Sequence, residues 1–352
     1  MKPFLLILTM AALLLATVGC SDDEANPTSS GLPQNTTTTT WDESGGFWRT
    51  SVDATSYADF AHFSFESRDT ISGSAAKAAG SDWDIAFRRE VIKLDGGAST
   101  IVGGDAVGAD LGVVDFAAVT LADTAGVTWV NDAIDYFIDN WYSYDTINHV
   151  VTANQYVYSM VDAGGHNYLK FRVDSMPDAD RPPTMGEVYI TYLYQTVADL
   201  KELDGTAVKA MVDVGDSVGY FDFSTGQQVY PADPADSPDW DIAFASYDCS
   251  QNSGPNGTGA CKAFPAGGEL ADSTDIDVFT MQPNAPMFPD IPSSALTDWY
   301  NYNDENHQLT SKSHVYLVKT AGKVYKLRID SYYANKSGLP VSANYTFIWK
   351  AL

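Results

Sequence analysis

The sequence predicts an all-β protein made of two tandem antiparallel β domains, and three observations carry that expectation. First, the motif Trp-Asp-Ile-Ala-Phe is written twice, at Trp83–Phe87 and again at Trp240–Phe244, 157 residues on. Second, apolar and charged residues alternate with period two in LKFRVDS (Leu169–Ser175) and YKLRIDS (Tyr325–Ser331), as half-buried strands require. Third, Gly- and Asp-rich breaks at Ala163, Ala321 and Asp95 separate the apolar runs, and neither half carries a long helical pattern.

The duplication extends well beyond that pentapeptide. Phe63-Ser64-Phe65 matches Phe221-Asp222-Phe223, and WYSYDTINHVVTANQYVY from Trp141 matches WYNYNDENHQLTSKSHVY from Trp299. Val-Asp-Ala-Thr at Val52 precedes the first copy and Val-Asp-Val-Gly at Val212 the second. Matches that keep their order and drift by only a few residues are what copying of a whole domain leaves behind. The period is too long for a solenoid or propeller unit. It divides the chain into residues 41–203 and 204–352, joined by QTVADLKELDG (Gln195–Gly205), where a short helix is expected. Within each copy the repeated motif reads as packing, with Trp83, Ile85 and Phe87 on one strand face and Trp240, Ile242 and Phe244 likewise. Asp84 and Asp241 then point to the other side, bonded to a turn.

The N-terminus reads as a targeting device. Lys2 and the apolar run Phe4–Val18 form a lipoprotein signal peptide over residues 1–19. Thr17-Val18-Gly19-Cys20 resembles a lipobox, which makes Cys20 the lipidated first residue of the mature chain. The run is shorter than the ~20 residues a membrane span needs. Residues 20–40, polar and Thr-rich, are too poor in apolar side chains to build a core and read as a disordered tether. Export to the outer membrane or cell surface by a lipid anchor is the expected localisation; Ser21 after the cysteine suits outer-membrane sorting. In that oxidising setting, Cys249 and Cys261 are expected to pair as a disulfide across a Gly-rich loop.

A formal charge of −26 excludes nucleic acid as a partner, because phosphate binding needs clustered Lys and Arg. Five His and three Cys leave little for metal chemistry. Gly215-Asp216-Ser217-Val218-Gly219 fits G-x-S-x-G, yet a nucleophile elbow needs a helix after the Ser, and the β-like run YFDF follows. The Asp-rich run Pro231–Asp241 lacks the spacing of a calcium loop. No catalytic constellation is present, so the protein is expected not to be an enzyme.

The order of motifs, from the lipobox through V-D-A-T, F-S-F, W-D-I-A-F with I-K-L-D-G-G, W-Y-x-Y and a K-x-R strand, resembles the HmuY family of bacterial surface lipoproteins, once per copy. That resemblance implies an HmuY-like all-β fold, haem or another porphyrin as ligand, and an outer-membrane receptor as partner. In that family two loops supply a His or Met pair to the iron, one ahead of W-Y-x-Y and one just after it. Ala106–Asn140 holds neither residue type, whereas the second copy carries Met281 and Met287. Thr146 and Asp304 stand nearest the second ligand position, and His149 and His307 lie three residues further on. The implied set is therefore Met287 or Met281 with His307, and His149 alone in the first copy. The Lys170-x-Arg172 and Lys326-x-Arg328 pairs could meet propionates, or could face solvent with Asp174 and Asp330. Two alternatives stay open: the Asn-His pairs as plain turn residues, and the whole chain as a non-catalytic surface module without haem ligands that binds a protein or glycan.

Overall fold

The computed structural model describes residues 37–57, 59–71, 82–99, 103–177, 186–195, 207–215, 217–265, 287–336 and 339–352. Cys20 and the leader, Met281, and the helix expected within Gln195–Gly205 lie outside these residues, Gln195 excepted. In the first copy the strands are β1 (Thr38–Asp42), β2 (Phe47–Asp53), β3 (Ala61–Ser64), β4 (Asp69–Ile71), β5 (Ile85–Arg88), β6 (Val91–Leu94), β7 (Val107–Asp110), β8 (Ala133–Asp135), β9 (Tyr142–Asp145), β10 (Val150–Ala153), β11 (Tyr158–Val161), β12 (Tyr168–Ser175) and β13 (Gly186–Tyr194). The second has β14 (Val208–Gly215), β15 (Val218–Asp222), β16 (Gln227–Val229), β17 (Ile242–Ala245), β18 (Asp248–Gln251), β19 (Lys262–Pro265), β20 (Ile291–Ser293), β21 (Tyr300–Asn303), β22 (Gln308–Ser311), β23 (Val315–Thr320), β24 (Lys323–Ser331), β25 (Ala334–Lys336), β26 (Leu339–Val341) and β27 (Asn344–Ala351). Strands β2 to β13 correspond one to one with β14 to β24 and β27. Every pairing is antiparallel, as the alternation predicts. The G-x-S-x-G stretch joins two strands, β14 and β15, with Ser217 N bonded to Val214 O at 3.1 Å.

The sequence copies are not the packing units. One sandwich joins the sheet β1-β2-β27-β24-β23-β7 to the sheet β4-β3-β5-β6. Its core runs from Val52 to Ala106 and from Leu296 to Trp349, so it takes the first half of copy one and the second half of copy two. The other joins β14-β13-β12-β11-β19 to β16-β15-β17-β18, around a core drawn from Ile138–Val214 and Phe221–Ala263. We call these the outer and the inner sandwich. The exchange is reciprocal. β7 of copy one pairs with β23 of copy two, Gly108 opposite Val318. β19 of copy two pairs with β11 of copy one, Ala263 opposite Met160. The division into residues 41–203 and 204–352 thus marks the sequence copies and not two separate cores: duplicated strands present the same edges, and each half-domain closes on the partner half of the other copy. Where the chain passes between sandwiches, β8 and β20 pair with each other, Ile134 opposite Pro292.

Aromatic side chains fill both cores across the exchange. Phe87 stacks on Phe347 at 5.3 Å, and Phe223 packs on Phe171 at 5.4 Å. Truncating one such buried ring costs about 3–5 kcal/mol. The repeated pentapeptide divides its labour differently from the simple one-face reading. Ile85 and Phe87, like Ile242 and Phe244, point into the cores. Trp83 stands two residues before β5 and packs instead with Ala86, Phe60 and Ile71, while Trp240 meets Tyr220 at 5.0 Å. His62 is buried on β3, edge-on to Trp83 at 4.8 Å.

The aspartate in the motif ties the copies together. Asp84 Oδ2 accepts from Phe65 N at 2.7 Å, and its Oδ1 accepts from the Thr320 hydroxyl of copy two at 2.9 Å. Asp241 repeats this in the inner sandwich, accepting from Phe223 N and from Ala163 N of copy one, both at 2.7 Å. Both carboxyls are buried, and burial pushes Asp84 up to about 6 and Asp241 to about 7. Asp132, which accepts from Leu94 N at 2.7 Å, is likewise pushed by burial to about 7.

Cys249 and Cys261 are both buried in the inner core as free thiols; the expected disulfide is not formed. Cys249 sits on β18 opposite Phe244, and the Cys261 thiol faces Asp241 Oδ1 at 3.9 Å.

Removing a latch carboxyl strands two donors, so Asp84→Ala and Asp241→Ala should each destabilise by roughly 2–4 kcal/mol in denaturant titrations. A carboxyl whose folded pKa lies above the unfolded 3.8 holds its proton better in the native state. Its stabilising contribution is complete below about pH 4 and is lost as pH climbs through 6 to 7. Stability should therefore fall between about pH 4 and 7.5, and the Asp→Asn variants should show a smaller fall than the parent.

Candidate functional site: the Asn-His hairpins and a tyrosine-lined depression

The two Asn-His pairs occupy equivalent hairpins. His149 closes the β9–β10 turn and His307 the β21–β22 turn, with φ of 55° and 56°. Positive φ is uncommon outside glycine, and histidine is among the few residue types enriched there. Asp145 and Asn303 hold the turns, accepting from the backbone N–H groups of Ile147 and Glu305 at 2.8 and 2.9 Å. Both imidazoles are exposed. Each meets a tyrosine two strand positions along: Tyr144 Oη lies 2.6 Å from His149 Nδ1, and Tyr302 Oη 2.5 Å from His307 Nδ1. With the proton on Nδ1 and donated to the phenol oxygen, Nε2 presents a bare lone pair to solvent, as an imidazole ligand must.

The rest of the expected ligand set is dispersed. Met287 is half-buried against Leu193 of the inner sandwich, whereas His307 sits at the tip of a hairpin that packs on the outer one. The basic pairs do not offer themselves to propionates. Lys326 Nζ donates to the carbonyls of Phe116 and Val119 at 2.6 and 2.7 Å, beneath a loop, and Lys170 is buried. Arg172 and Arg328 each hold their own Asp174 or Asp330 at 2.8 Å, as the solvent-face reading has it.

A second feature has no counterpart in the sequence reading. Asp135, Tyr136, Asp139 and Tyr142 of copy one, with Tyr247 and Asp248 of copy two, line an open depression of about 220 Å³. Tyr142 and Tyr247 stack at 5.2 Å with 26° between planes. A backbone bridge from Ile138 to Cys249 sutures the two walls, and buried Asp290 anchors them by accepting from Phe137 N at 2.9 Å and Gln251 N at 2.8 Å. Burial, then Asp248 and Asp290, push the Tyr136 phenol up to about 12; burial also raises Asp139 and Asp248.

At the matching place in the outer sandwich the side chains are engaged in hydrogen bonds of their own. Ser294, where copy one has Tyr136, donates its hydroxyl to Ile92 O at 2.9 Å, and Ser294 N donates to Thr297, where copy one has Asp139, at 2.7 Å. Trp299 Nε1 donates to Glu90 O at 2.9 Å. Its equivalent Trp141 is 1% exposed, and its N–H has no partner among the described residues. The acceptor that Glu90 supplies would come here from Tyr247, a lining residue. Side chains that differ between the two copies were the available signal, and reading the copies only for their likeness passes over it.

These features define a β-sandwich protein with two exposed imidazoles and a rim depression. The family model for "HmuY protein" matches residues 56–194 and 216–349. The chain belongs to the HmuY family, in two copies, and that family comprises haem-binding proteins of bacterial surfaces. No curated protein matches the chain. Among solved structures it is similar to apo PinO from Porphyromonas gingivitis, at 12% identity and a TM-score of 0.17, over 63% of this chain and 95% of that one.

The unequal tryptophans give a direct check. Trp299→Phe discards a hydrogen bond and should cost about 1 kcal/mol more than Trp141→Phe, which discards none. Paired denaturant titrations of the two variants read the difference.

Proposed function

We propose that this chain is a lipid-anchored, non-catalytic surface protein that binds haem, with His149 and His307 each offering one axial nitrogen. The observation that carries the reading is the twin Tyr–His bond. It engages each ring through Nδ1 and occurs in both copies at the loop after W-Y-x-Y. When bound, the haem iron takes an imidazole nitrogen as axial ligand. The protein's part is to hold the ring and its tautomer. The fit is partial. The described residues bring no second His or Met against either imidazole, and the basic pairs are engaged elsewhere. Met287, packed on Leu193, takes no part in this reading.

In this reading the residue 1–19 leader exports the chain and lipidation at Cys20 anchors it at the cell surface, where a receptor could accept the ligand. Haemin titration of the full chain tests the reading. A Soret shift saturating at two equivalents is expected, His149→Asn or His307→Asn should each remove one, and the double variant both. Asparagine tolerates the left-handed turn, so folding is kept. An undiminished shift in the double variant would remove the proposal.

A further inference from the structure

Given the histidine reading, we propose that the two Asn-His hairpins are unequal haem sites, and that Ile147 and Val150 make the copy-one hairpin the tighter. The Tyr–His pair does not distinguish the copies. Its ring centroids stand 6.0 Å apart in both, with 44° and 39° between planes. The residues beside each histidine do differ. Ile147 stands inside the β9–β10 turn with 86% of its surface exposed, and Val150, next to His149, is 46% exposed. Turns ordinarily carry polar side chains at such places, so two apolar ones left in water are a feature of this hairpin alone. Copy two has Glu305 and Gln308 at the same positions, and Asp304 where copy one has Thr146, all exposed.

Haem is a broad apolar plane that carries a pair of carboxylates, and both parts discriminate between these surroundings. Ile147 and Val150 lie within roughly 7 Å of His149 along the chain, inside the reach of a porphyrin held at that ring. Covering them removes apolar surface from water. Asp304 and Glu305 are equally near His307, and their carboxylates accept no hydrogen bond among the described residues. They repel a propionate. Copy one has a single carboxylate in its turn, Asp145, and the turn itself engages it. It accepts from Ile147 N at 2.8 Å, Asn148 N at 3.1 Å and Asn148 Nδ2 at 2.7 Å. Duplication thus supplied two like ring cradles, and the turn residues set which one fills first.

Haemin titrations of single-site variants of the full chain test the proposal. His307→Asn leaves only the copy-one hairpin and His149→Asn only the copy-two hairpin; the former should bind about tenfold more tightly. Exchanging the neighbours should carry the difference with them. Ile147→Glu with Val150→Gln, added to His307→Asn, should lower affinity toward the copy-two value, and Glu305→Ile with Gln308→Val, added to His149→Asn, should raise it. All four positions are exposed, so circular dichroism should match the parent. Added salt screens the repulsion, and should tighten binding at copy two while leaving copy one nearly unchanged. Equal affinities in the two single-site variants, or a difference that stays with the histidine after the exchange, would overturn the proposal and leave the histidine reading standing. A Soret shift that survives loss of both histidines would remove the two together.

Discussion

Two buried carboxylates, Asp84 and Asp241, hold the architecture together. Each caps a turn of its own sheet and, through its second oxygen, grips the facing half-domain contributed by the other copy. A buried carboxyl costs free energy unless its oxygens are satisfied, so a chain that keeps one at this point keeps its donors too. That explains why the pentapeptide is written twice: the isoleucine and phenylalanine fill a core, and the aspartate fastens that core to the opposite copy.

Duplication followed by reciprocal closure has a consequence for sites. When each sandwich contains one half of each copy, every rim between the halves is lined by both, and the two rims are free to diverge. In the outer sandwich small hydroxyl residues and a tryptophan N–H bridge the rim with hydrogen bonds. In the inner one, bulkier tyrosine and aspartate stand at the same places and the rim stays open. The Tyr–His bond of the two hairpins did not diverge; both keep the tyrosine that orients the ring.

Much of the fold was legible from residues alone. Period-two alternation in Leu169–Asp174 and Tyr325–Asp330 marked β12 and β24, and Gly and Asp breaks marked the turns. Family and copy number followed from motif order. The exchange of halves was not legible, because strands copied from one another carry the same edges and the same alternation whichever partner they take. The tryptophan of the pentapeptide misled the face assignment because the strand starts after it, at Ile85 and Ile242. Cys249 and Cys261 suggested a disulfide by compartment, yet Cys249 faces a core and Cys261 an aspartate. The Lys-x-Arg pairs read as a charged stripe, but a lysine stem is long enough to bury its head against loop carbonyls, as Lys326 does.

The reciprocal exchange is the claim on which the rest stands, and engineered crosslinks test it most directly. Ser51 on β2 lies opposite Thr346 on β27, their hydroxyl oxygens 3.3 Å apart. Had each copy closed on itself, Ser51 would instead oppose Tyr189 on β13, the residue equivalent to Thr346. With Ser51→Cys and Thr346→Cys, mild oxidation should give an intrachain disulfide, found by peptide mapping and with native circular dichroism. The pair Ser51→Cys and Tyr189→Cys should give none. The opposite pattern would contradict the account.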